Sequence, residues 1–465
     1  MFGFDPIVGY GLFALYAMVV WQLVNVFAKG YTNNAESFLL ARRELNFASG
    51  AISIAAAWLW APGLFVSAYQ GYMNGLDGVF WFCLGNFLTL PFFAYFADKL
   101  RREHPGGFTM SETIRLTYGG SLFRFYQFEM LVLAVCAFAI NLIAGGSTVA
   151  ILTNIPYNIA TGLMAFIALA YTFRAGLKAT VVTEIVKISV VWVVVIALVA
   201  ALTSGFGLLG DSDINYRGVA NSLGEPMFGS FGLGVFTSFG IAAFLGHMAG
   251  PWRDNSFYQR AFAIKQGHVI PAFVLAGFIF ILVPIAMGFV GMIGGASPEV
   301  ILAAEGKENN INLITIGTLL PAGAALLFAV AVLAGLIGIL DSQMASVTNI
   351  IGNDFSRVGS EIRNARIAMV ILAIIGFIVA NIDGITIGNL FLFFSVMGTT
   401  LFIPTMFAIV KPKFFVGSHL LTALVVTFVI AMGLQLSGYT FQATLTALLL
   451  PVIGAKGLQW ARSSS

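Results

Sequence analysis

The chain has 465 residues, of which 59% are hydrophobic and only 9% are charged, with a formal net charge of +3 at pH 7 and a mean hydropathy of +0.93. An ordinary soluble domain carries about 25% charged residues, so a soluble protein is excluded and a polytopic membrane protein is predicted. The two cysteines, Cys83 and Cys136, lie in apolar runs, which argues against a disulfide framework or a thiolate metal site.

Thirteen apolar runs are long enough to cross a bilayer, which needs about 20 residues per helix. These runs predict an all-α protein with about 13 transmembrane helices. In chain order they are roughly 7–27, 47–72, 77–98, 122–146, 155–173, 179–204, 229–250, 267–294, 315–348, 365–381, 385–410, 415–435 and 438–455. The inner stretch 252–266 is predicted to be a short surface helix.

The basic residues give the expected orientation. Arg217 and Lys307 fall in loops on the side of the N-terminus, and Lys187 lies within a span; the other Lys and Arg residues lie at or beside the opposite side. Because positive charge stays cytoplasmic, the N-terminus is predicted outside and the C-terminus inside. We expect a plasma-membrane protein, in a bacterium the inner membrane.

Three ionisable residues lie inside apolar runs: Glu184 and Lys187 in 179–202, and Asp341 in 319–350. An ionisable side chain in the hydrocarbon region is expensive and is kept mainly where it has a function. Glu184 and Lys187 are three residues apart, so they share a helical face and lie about 4.5 Å apart along the axis.

Two spans carry poor helix formers at mid-membrane. The second span contains Pro62-Gly63, and the seventh contains Gly246 and Gly250-Pro251. Either could be an ordinary kink, but paired interruptions in two halves mark the binding site of a transporter. Each interrupted span begins a set of five. This pattern predicts inverted repeats at 47–205 and 228–411, with one extra helix in 1–28 and two helices and a cytoplasmic tail in 415–465.

Over about 35–412 the chain resembles the sodium/solute symporter family, whose members have the LeuT-type fold of two inverted five-helix repeats. Matching landmarks are Arg42-Arg43, residues 175–179 before Thr183-Glu184, Asp254 with Gln259-Arg260-Ala261, and Asp341-Ser342-Gln343 with Asn353-Asp354. Within the family it looks closest to the urea and polyamine transporters. That likeness rests on Trp58-Leu59-Trp60-Ala61, Gly78-Val79-Phe80-Trp81, Gly145-Gly146-Ser147 and Gly246-His247.

The resemblance implies a central sodium site made by the carbonyls of Ala56 and Leu59 and by side chains at Gly338 and Ile339. The last two have no side-chain oxygen, whereas hard cations need several oxygen ligands. Ordinary sodium coupling at this site is therefore in doubt.

A second family sodium site, one turn closer to the cytoplasm, maps to Glu184, Asp341 and Ser342. We hypothesise that the Lys187 ammonium replaces the central sodium ion, as a lysine does in proton-coupled relatives of the same fold. A proton that joins or leaves the cluster could then bias the two transport states. Alternatively, Lys187 snorkels to the inner surface and Glu184 pairs with an inner arginine.

A small polar solute needs a few polar groups in an apolar cavity. The candidates are Trp58, Trp60, Gln70, Ser147 and His247, although His247 could equally be a core residue. Phe391 and Phe394 could form a gate or pack against lipid.

The predicted function is secondary active transport of a urea-like, amino-acid-like or amine solute by alternating access, coupled to protons or uncoupled. A sodium symporter using Glu184, Asp341 and Ser342 is an alternative, as is a transporter-fold sensor or a channel-like facilitator. We expect no enzymatic activity, no cofactor beyond a possible sodium ion or proton, and no nucleic-acid partner. The expected partners are the solute and the bilayer, and the oligomeric state stays open.

Overall fold

The structure, a computed structural model, describes residues 3–31, 34–205 and 229–463. Within those ranges the chain is helical apart from short connections. The helices are α1 (Pro6–Phe27), α2 (Ala35–Leu40), α3 (Phe47–Trp58), α4 (Ala61–Glu103), α5 (Met110–Tyr118), α6 (Gly120–Thr153), α7 (Tyr157–Ala175), α8 (Leu177–Gly205), α9 (Ser230–Val235), α10 (Ile241–Met248), α11 (Gly250–Arg253), α12 (Asn255–Ala263), α13 (Val269–Ala296), α14 (Pro298–Ala304), α15 (Ile311–Leu319), α16 (Ala322–Asp354), α17 (Glu361–Ala380), α18 (Ile387–Val410), α19 (Gly417–Leu436) and α20 (Thr440–Ser463). The predicted outer loop around Arg217 and the start of the second repeat at 228 lie outside the described residues.

Twelve helices in the described part of the chain are long and apolar enough to cross a membrane. The difference from the predicted number lies in α4, whose 43 residues would measure about 65 Å if straight, twice a bilayer core. Gly75 breaks it with φ 57° and ψ −143°. A Cβ on Gly78 would lie 2.7 Å from the carbonyl oxygen of Gln70, so the chain turns back at Gly75. The second and third predicted spans therefore correspond to α3 with the two arms of α4.

The first predicted interruption lies between α3 and α4. Leu59 (φ −82°, ψ 73°) and Trp60 (φ −102°, ψ 174°) leave the helical conformation. Pro62 then occupies the first turn of α4, where a missing backbone N–H is tolerated. The side chain of Asn141 on α6 accepts a hydrogen bond of 3.0 Å from the backbone N–H of Ala61. The break lies in a buried part of the chain, where Leu59 is 1% and Trp60 6% exposed.

The second interruption is milder than the sequence predicts. Ala249, between α10 and α11, stays near helical geometry with φ −76° and ψ −13°. The chain becomes extended only at Asp254, with φ −110° and ψ 110°. The prediction of a surface helix at 252–266 is wrong, because every residue of α12 is buried. Its carboxyl end pairs with the segment before α3 through a parallel bridge between Leu45 and Ile264.

Helix α16 occupies the centre of the molecule. Every residue from 331 to 350 is buried, and the helix packs against α3, α6, α7, α8, α12 and α17. A helix that is apolar all round is suited to such a position. The few polar side chains on α16 therefore meet polar groups from several other helices.

The first arm of α4 packs closely on α13 through small residues, as membrane helices often do. A Cβ on Gly71 would overlap the backbone carbonyl of Gly288. We therefore expect Gly71→Ala to destabilise the detergent-solubilised protein by about 1–3 kcal/mol, the usual effect of overpacking. Thermal unfolding followed by size-exclusion chromatography measures this. Gly433→Ala, on α19 with open space around it, is the control; equal stability of the two variants contradicts the close approach.

Candidate functional site

Lys187 turns inward from α8 and is only 3% exposed. Its ammonium group donates to the carboxylate of Asp341 on α16 and, at 2.8 Å, to the hydroxyl of Tyr171 on α7. The Tyr171 hydroxyl donates to the same carboxylate oxygen. Lys187 does not snorkel to the surface in this conformation, so that alternative is wrong for the structure in hand.

Glu184, one turn earlier on α8, pairs with a second base. Arg260 of α12 approaches its carboxylate at 2.5 Å and donates to the hydroxyl of Ser342 at 2.9 Å. The same guanidinium donates to the Ser53 hydroxyl on α3 at 2.9 Å. The Ser342 hydroxyl also lies 3.0 Å from the Glu184 carboxylate. The arginine partner that the second alternative foresaw for Glu184 is therefore present, and Arg260 itself is fully buried.

The stem of Lys187 passes directly beside Gly338. A Cβ at Gly338 would lie 3.3 Å from Cδ of Lys187 and 4.0 Å from its ammonium nitrogen. One turn away, the side chain of Leu59 lies 3.8 Å from the corresponding position of Gly335. The lysine thus fills the space beside the position where the resemblance places a sodium-binding hydroxyl.

The four ionisable groups form two adjoining ion pairs, Lys187 with Asp341 and Arg260 with Glu184. With all four ionised, the cluster carries no net charge. Pairing of this kind is what allows charges to stay in a low-dielectric interior. Oε2 of Glu184 has no hydrogen-bond partner in the described part of the chain, so one carboxylate oxygen of the cluster is left over.

A small cavity lies beside the interruption between α3 and α4. Its aromatic wall consists of Trp58, Trp60 and Phe394, with the rings of Trp60 and Phe394 5.5 Å apart. Phe391 lies against the other side of Trp60 at 5.6 Å. Gly250 is required here because a Cβ would overlap the Trp58 ring. Both predicted gate residues therefore contact Trp60, and Phe394 is itself part of the aromatic wall.

Three polar side chains face this cavity: Arg253, Asp254 and Gln343. Gln343 on α16 donates to Asp254 at 2.8 Å. Arg253 is 2% exposed, and its guanidinium lies 4.0 Å from the centre of the Phe394 ring. It donates to the Phe394 carbonyl at 3.3 Å. The cavity therefore offers both hydrogen-bond donors and acceptors on an aromatic surface.

The other predicted substrate residues do not line this cavity. Gln70 accepts a hydrogen bond of 2.7 Å from Asn74 near the turn of α4. His247 lies 3.0 Å from the Asn86 side chain, with its ring edge-on to Phe82. Ser147 lies half-buried on α6. A solute-binding role for these three residues stays a prediction.

Reasoning from the sequence did not place Arg260, Tyr171 or Arg253 in the site. Arg260 matches a family landmark, and Arg253 falls in the segment 252–266 that the sequence predicts as a surface helix. Both arginines are buried because the segment 250–263 packs inside the protein. From its charge content alone, this segment would be predicted to be exposed. A hydroxyl such as that of Tyr171 gives no signal in an apolar run.

The sequence pattern of the sodium:solute symporter family matches residues 38–416. The chain belongs to this family. Curated relatives of this family member include the probable urea active transporter 1 of Schizosaccharomyces pombe, 25% identical over 293 residues, which are 61% of this chain and 44% of that protein. Another is a urea-proton symporter of Oryza sativa subsp. japonica, 22% identical over 443 residues, which are 86% of this chain and 61% of that protein. The predicted family and its urea branch are confirmed.

Solved structures show the same fold. A substrate-bound, outward-open Na+-coupled sialic acid symporter superposes with a TM-score of 0.79 at 12% identity, covering 97% of this chain and 98% of that one. MHP1, a nucleobase-cation-symport-1 family transporter, superposes with a TM-score of 0.62 at 13% identity, covering 92% and 95%. The predicted all-α membrane fold of the LeuT type is confirmed. The chain spans 44% and 61% of the length of the two urea transporter relatives.

Removing one partner of a buried ion pair leaves the other charge uncompensated, which costs about 3–5 kcal/mol. We therefore expect Arg260→Met to lower the free energy of unfolding of this protein by that amount. The double variant Glu184→Gln/Arg260→Met should recover most of the loss. Denaturant unfolding in detergent measures both.

The control is Glu103→Gln, which breaks the half-exposed pair with Lys99 and should change stability by less than about 1 kcal/mol. An Arg260→Met protein as stable as this control contradicts the buried pairing.

Proposed function

We propose that this protein is a secondary active transporter of a small neutral polar solute of the urea class, working by alternating access, in which the Lys187 ammonium replaces the central sodium ion. The observation that carries the proposal is the position of Lys187 beside Gly338. At that position the family resemblance places an oxygen ligand of sodium. The ammonium group of Lys187, which is attached to the chain, supplies beside Gly338 the positive charge that a bound sodium ion would supply at the family's central site.

The charges of the cluster support this assignment. Two carboxylates already face two bases, so an added sodium ion would leave a buried net positive charge, which is costly at low dielectric. The sodium alternative would use Glu184, Asp341 and Ser342. In the structure Asp341 is held by Lys187 and Tyr171, and Ser342 accepts from Arg260. The Asp341 and Ser342 side chains are thus engaged, and Oε2 of Glu184 is left without a partner in the described residues; one free oxygen is fewer than a hard cation needs, which disfavours that alternative.

The groups around the cavity match a urea-like solute. Urea has one carbonyl acceptor and two amide donors, which correspond to the Arg253 guanidinium and to the Asp254 and Gln343 oxygens. The indole faces of Trp58 and Trp60 provide flat apolar surfaces for a planar molecule. The cavity volume of about 20 Å³ is near that needed for one water molecule. Binding therefore requires Trp60 and Phe394 to separate, which is the gate movement we propose.

The basic residues support the membrane orientation proposed here. Arg42, Arg43, Arg101 and Arg102 lie on the same side of the spans as Arg253 and Arg260 in the sequence pattern. Under the positive-inside rule this side is cytoplasmic, so the N-terminus lies outside and the C-terminus inside. Plasma-membrane insertion follows from transport of an external solute.

If Lys187 replaces sodium, uptake of labelled urea into proteoliposomes should be equal in sodium and potassium media. Lys187→Ala and Asp341→Asn each leave one buried charge unpaired, worth about 3 kcal/mol, and should lower uptake about a hundredfold. Wild-type-like uptake and pH dependence in both variants contradict the proposal. Uptake that rises with sodium at fixed pH supports a sodium ion held by Glu184, Asp341 and Ser342 instead.

A gain-of-function variant makes this test sharper. Lys187→Ala combined with Gly338→Ser and Ile339→Ser restores two hydroxyl oxygens and empties the space beside them. This triple variant is expected to regain uptake only in sodium. Counterflow completes the test, since preloaded urea accelerates uptake by a carrier but not by a channel.

If Trp60 is the wall of the solute site, Trp60→Ala should raise the apparent KM for urea about tenfold, because ring contacts of this kind are each worth about 0.5–1.5 kcal/mol. Trp60→Phe should stay within about threefold of wild type. Trp192→Phe, which does not alter the cavity lining, is the control. An unchanged KM in Trp60→Ala contradicts the site, and a thermal-shift screen of urea, amino acids, amines and sugars then identifies the solute class.

A further inference from the structure

A further buried ionisable residue lies within the membrane spans and has no basic partner in the described part of the chain. Glu129 on α6 is 1% exposed. Its Oε1 lies 3.0 Å from the hydroxyl of Thr400 on α18, whereas Oε2 has no hydrogen-bond partner in the described part of the chain. Glu184 and Asp341 each face a base. Glu129 is thus a buried carboxyl group that the ion-pair cluster does not use.

The hydrogen bonds around Thr400 indicate which form of Glu129 fits this interface. The Thr400 hydroxyl lies 2.7 Å from the Met397 carbonyl as well as 3.0 Å from Glu129, but it has one hydrogen to donate. If Glu129 is protonated, its O–H donates to Thr400, and Thr400 donates to Met397. Both contacts are then hydrogen bonds. An ionised Glu129 would lose one of them and would bury a negative charge with one oxygen unpaired, which costs more than a neutral carboxyl group in the same place.

No ion pair joins Glu129 to another residue in the described part of the chain. The 24 residues of α18 contain no titratable side chain. Titratable side chains on α6 itself and on the elements packed against it include Tyr118, Arg124, Tyr126, Arg253, Asp354 and His419. Within the described residues none of these makes an ion pair or a hydrogen bond with Glu129. Tyr126 bonds Thr405 at 3.0 Å, and Arg253 contacts the segment of α18 around Gly398. Helix α17 faces Leu131 and Val135 of α6 across a cavity.

Helix α18 also lacks one backbone hydrogen bond at Thr400. Pro404 has no N–H to donate to the carbonyl four residues earlier, which is that of Thr400. Missing bonds of this kind are where helices bend. Six residues before Thr400, on the same helix, Phe394 closes the cavity against Trp60. A change at Glu129 therefore acts on the helix that carries the gate.

We propose that Glu129 is a proton-binding site that links the packing of α18 against α6 to the opening of the solute cavity. The proposal rests on the proposed transport function and names a group through which protons act on the opening of the solute cavity. Protonated Glu129 donates to Thr400 and holds α18 in the closed position seen here. When α18 moves away and water reaches the carboxyl group, the O–H proton passes to water and the carboxylate stays hydrated. Solute access and proton binding then bias the same equilibrium.

Infrared spectroscopy tests the proton without any transport. At neutral pH the purified protein should show the carbonyl band of a protonated carboxylic acid that Glu129→Gln lacks. Thr400→Val removes the hydrogen-bond acceptor and should shift this band to higher frequency. Thr399→Val is the matched control, because the Thr399 hydroxyl bonds only the Ser395 carbonyl of its own helix. An unchanged band in Glu129→Gln overturns the proposal.

Transport tests the coupling. Glu129→Gln keeps a hydrogen-bond donor to Thr400 at every pH, so α18 should stay in the closed position more of the time. Urea counterflow in Glu129→Gln should therefore be about fivefold slower than in wild type and should lose its dependence on pH. Counterflow with the wild-type rate and pH dependence in Glu129→Gln overturns the proposal.

Two further outcomes separate this proposal from the proposed function. If wild type moves no urea but the infrared band depends on Glu129, the solute assignment fails and the proton site stands. If Glu129→Gln does not fold, Thr400→Val is used instead, and it should shift the pH at which half-maximal uptake occurs, whereas Thr399→Val should not. An equal pH profile in both threonine variants overturns the link between Glu129 and α18.

Discussion

The two adjoining ion pairs on α8, α12 and α16 are the interaction on which the rest of the molecule depends. Lys187 and Glu184 both project from α8, Asp341 from α16, and Arg260 from α12. Each charge is tolerable at this depth only because its partner is present. The inward fold of α12 and the central position of α16 are therefore needed together. Helices from both predicted repeats meet in this one cluster, so it also holds the two halves in register.

The sequence predicts well those features that depend on transfer between water and lipid. Hydropathy locates the spans, because each needs a long apolar stretch whatever its neighbours are. It also detects Glu184, Lys187 and Asp341, because a charge in such a stretch stands out. The turn at Gly75, which has positive φ, falls between the second and third predicted spans, 47–72 and 77–98.

Features that depend on tertiary packing were not predictable in the same way. Arg260 and Arg253 belong to a polar segment that resembles a surface helix, and only the fold shows it buried. Glu129 lies inside a predicted span, yet its significance depends on facing Thr400 instead of a base. The short distance between Lys187 and Gly338 joins residues far apart in the chain. A pattern along one helix contains no information about such pairs.

The attachment of Lys187 to the backbone has a consequence for the electrical behaviour of the protein. A bound sodium ion enters from one side of the membrane and leaves on the other, so the membrane potential does work on it in every cycle. An ammonium group on a four-carbon stem cannot leave. Any shift of its charge as the helices rearrange is reversed when they return, and the potential does no net work on it. In the transport cycle proposed above, the positive charge beside Gly338 thus contributes transient charge displacement and no steady current.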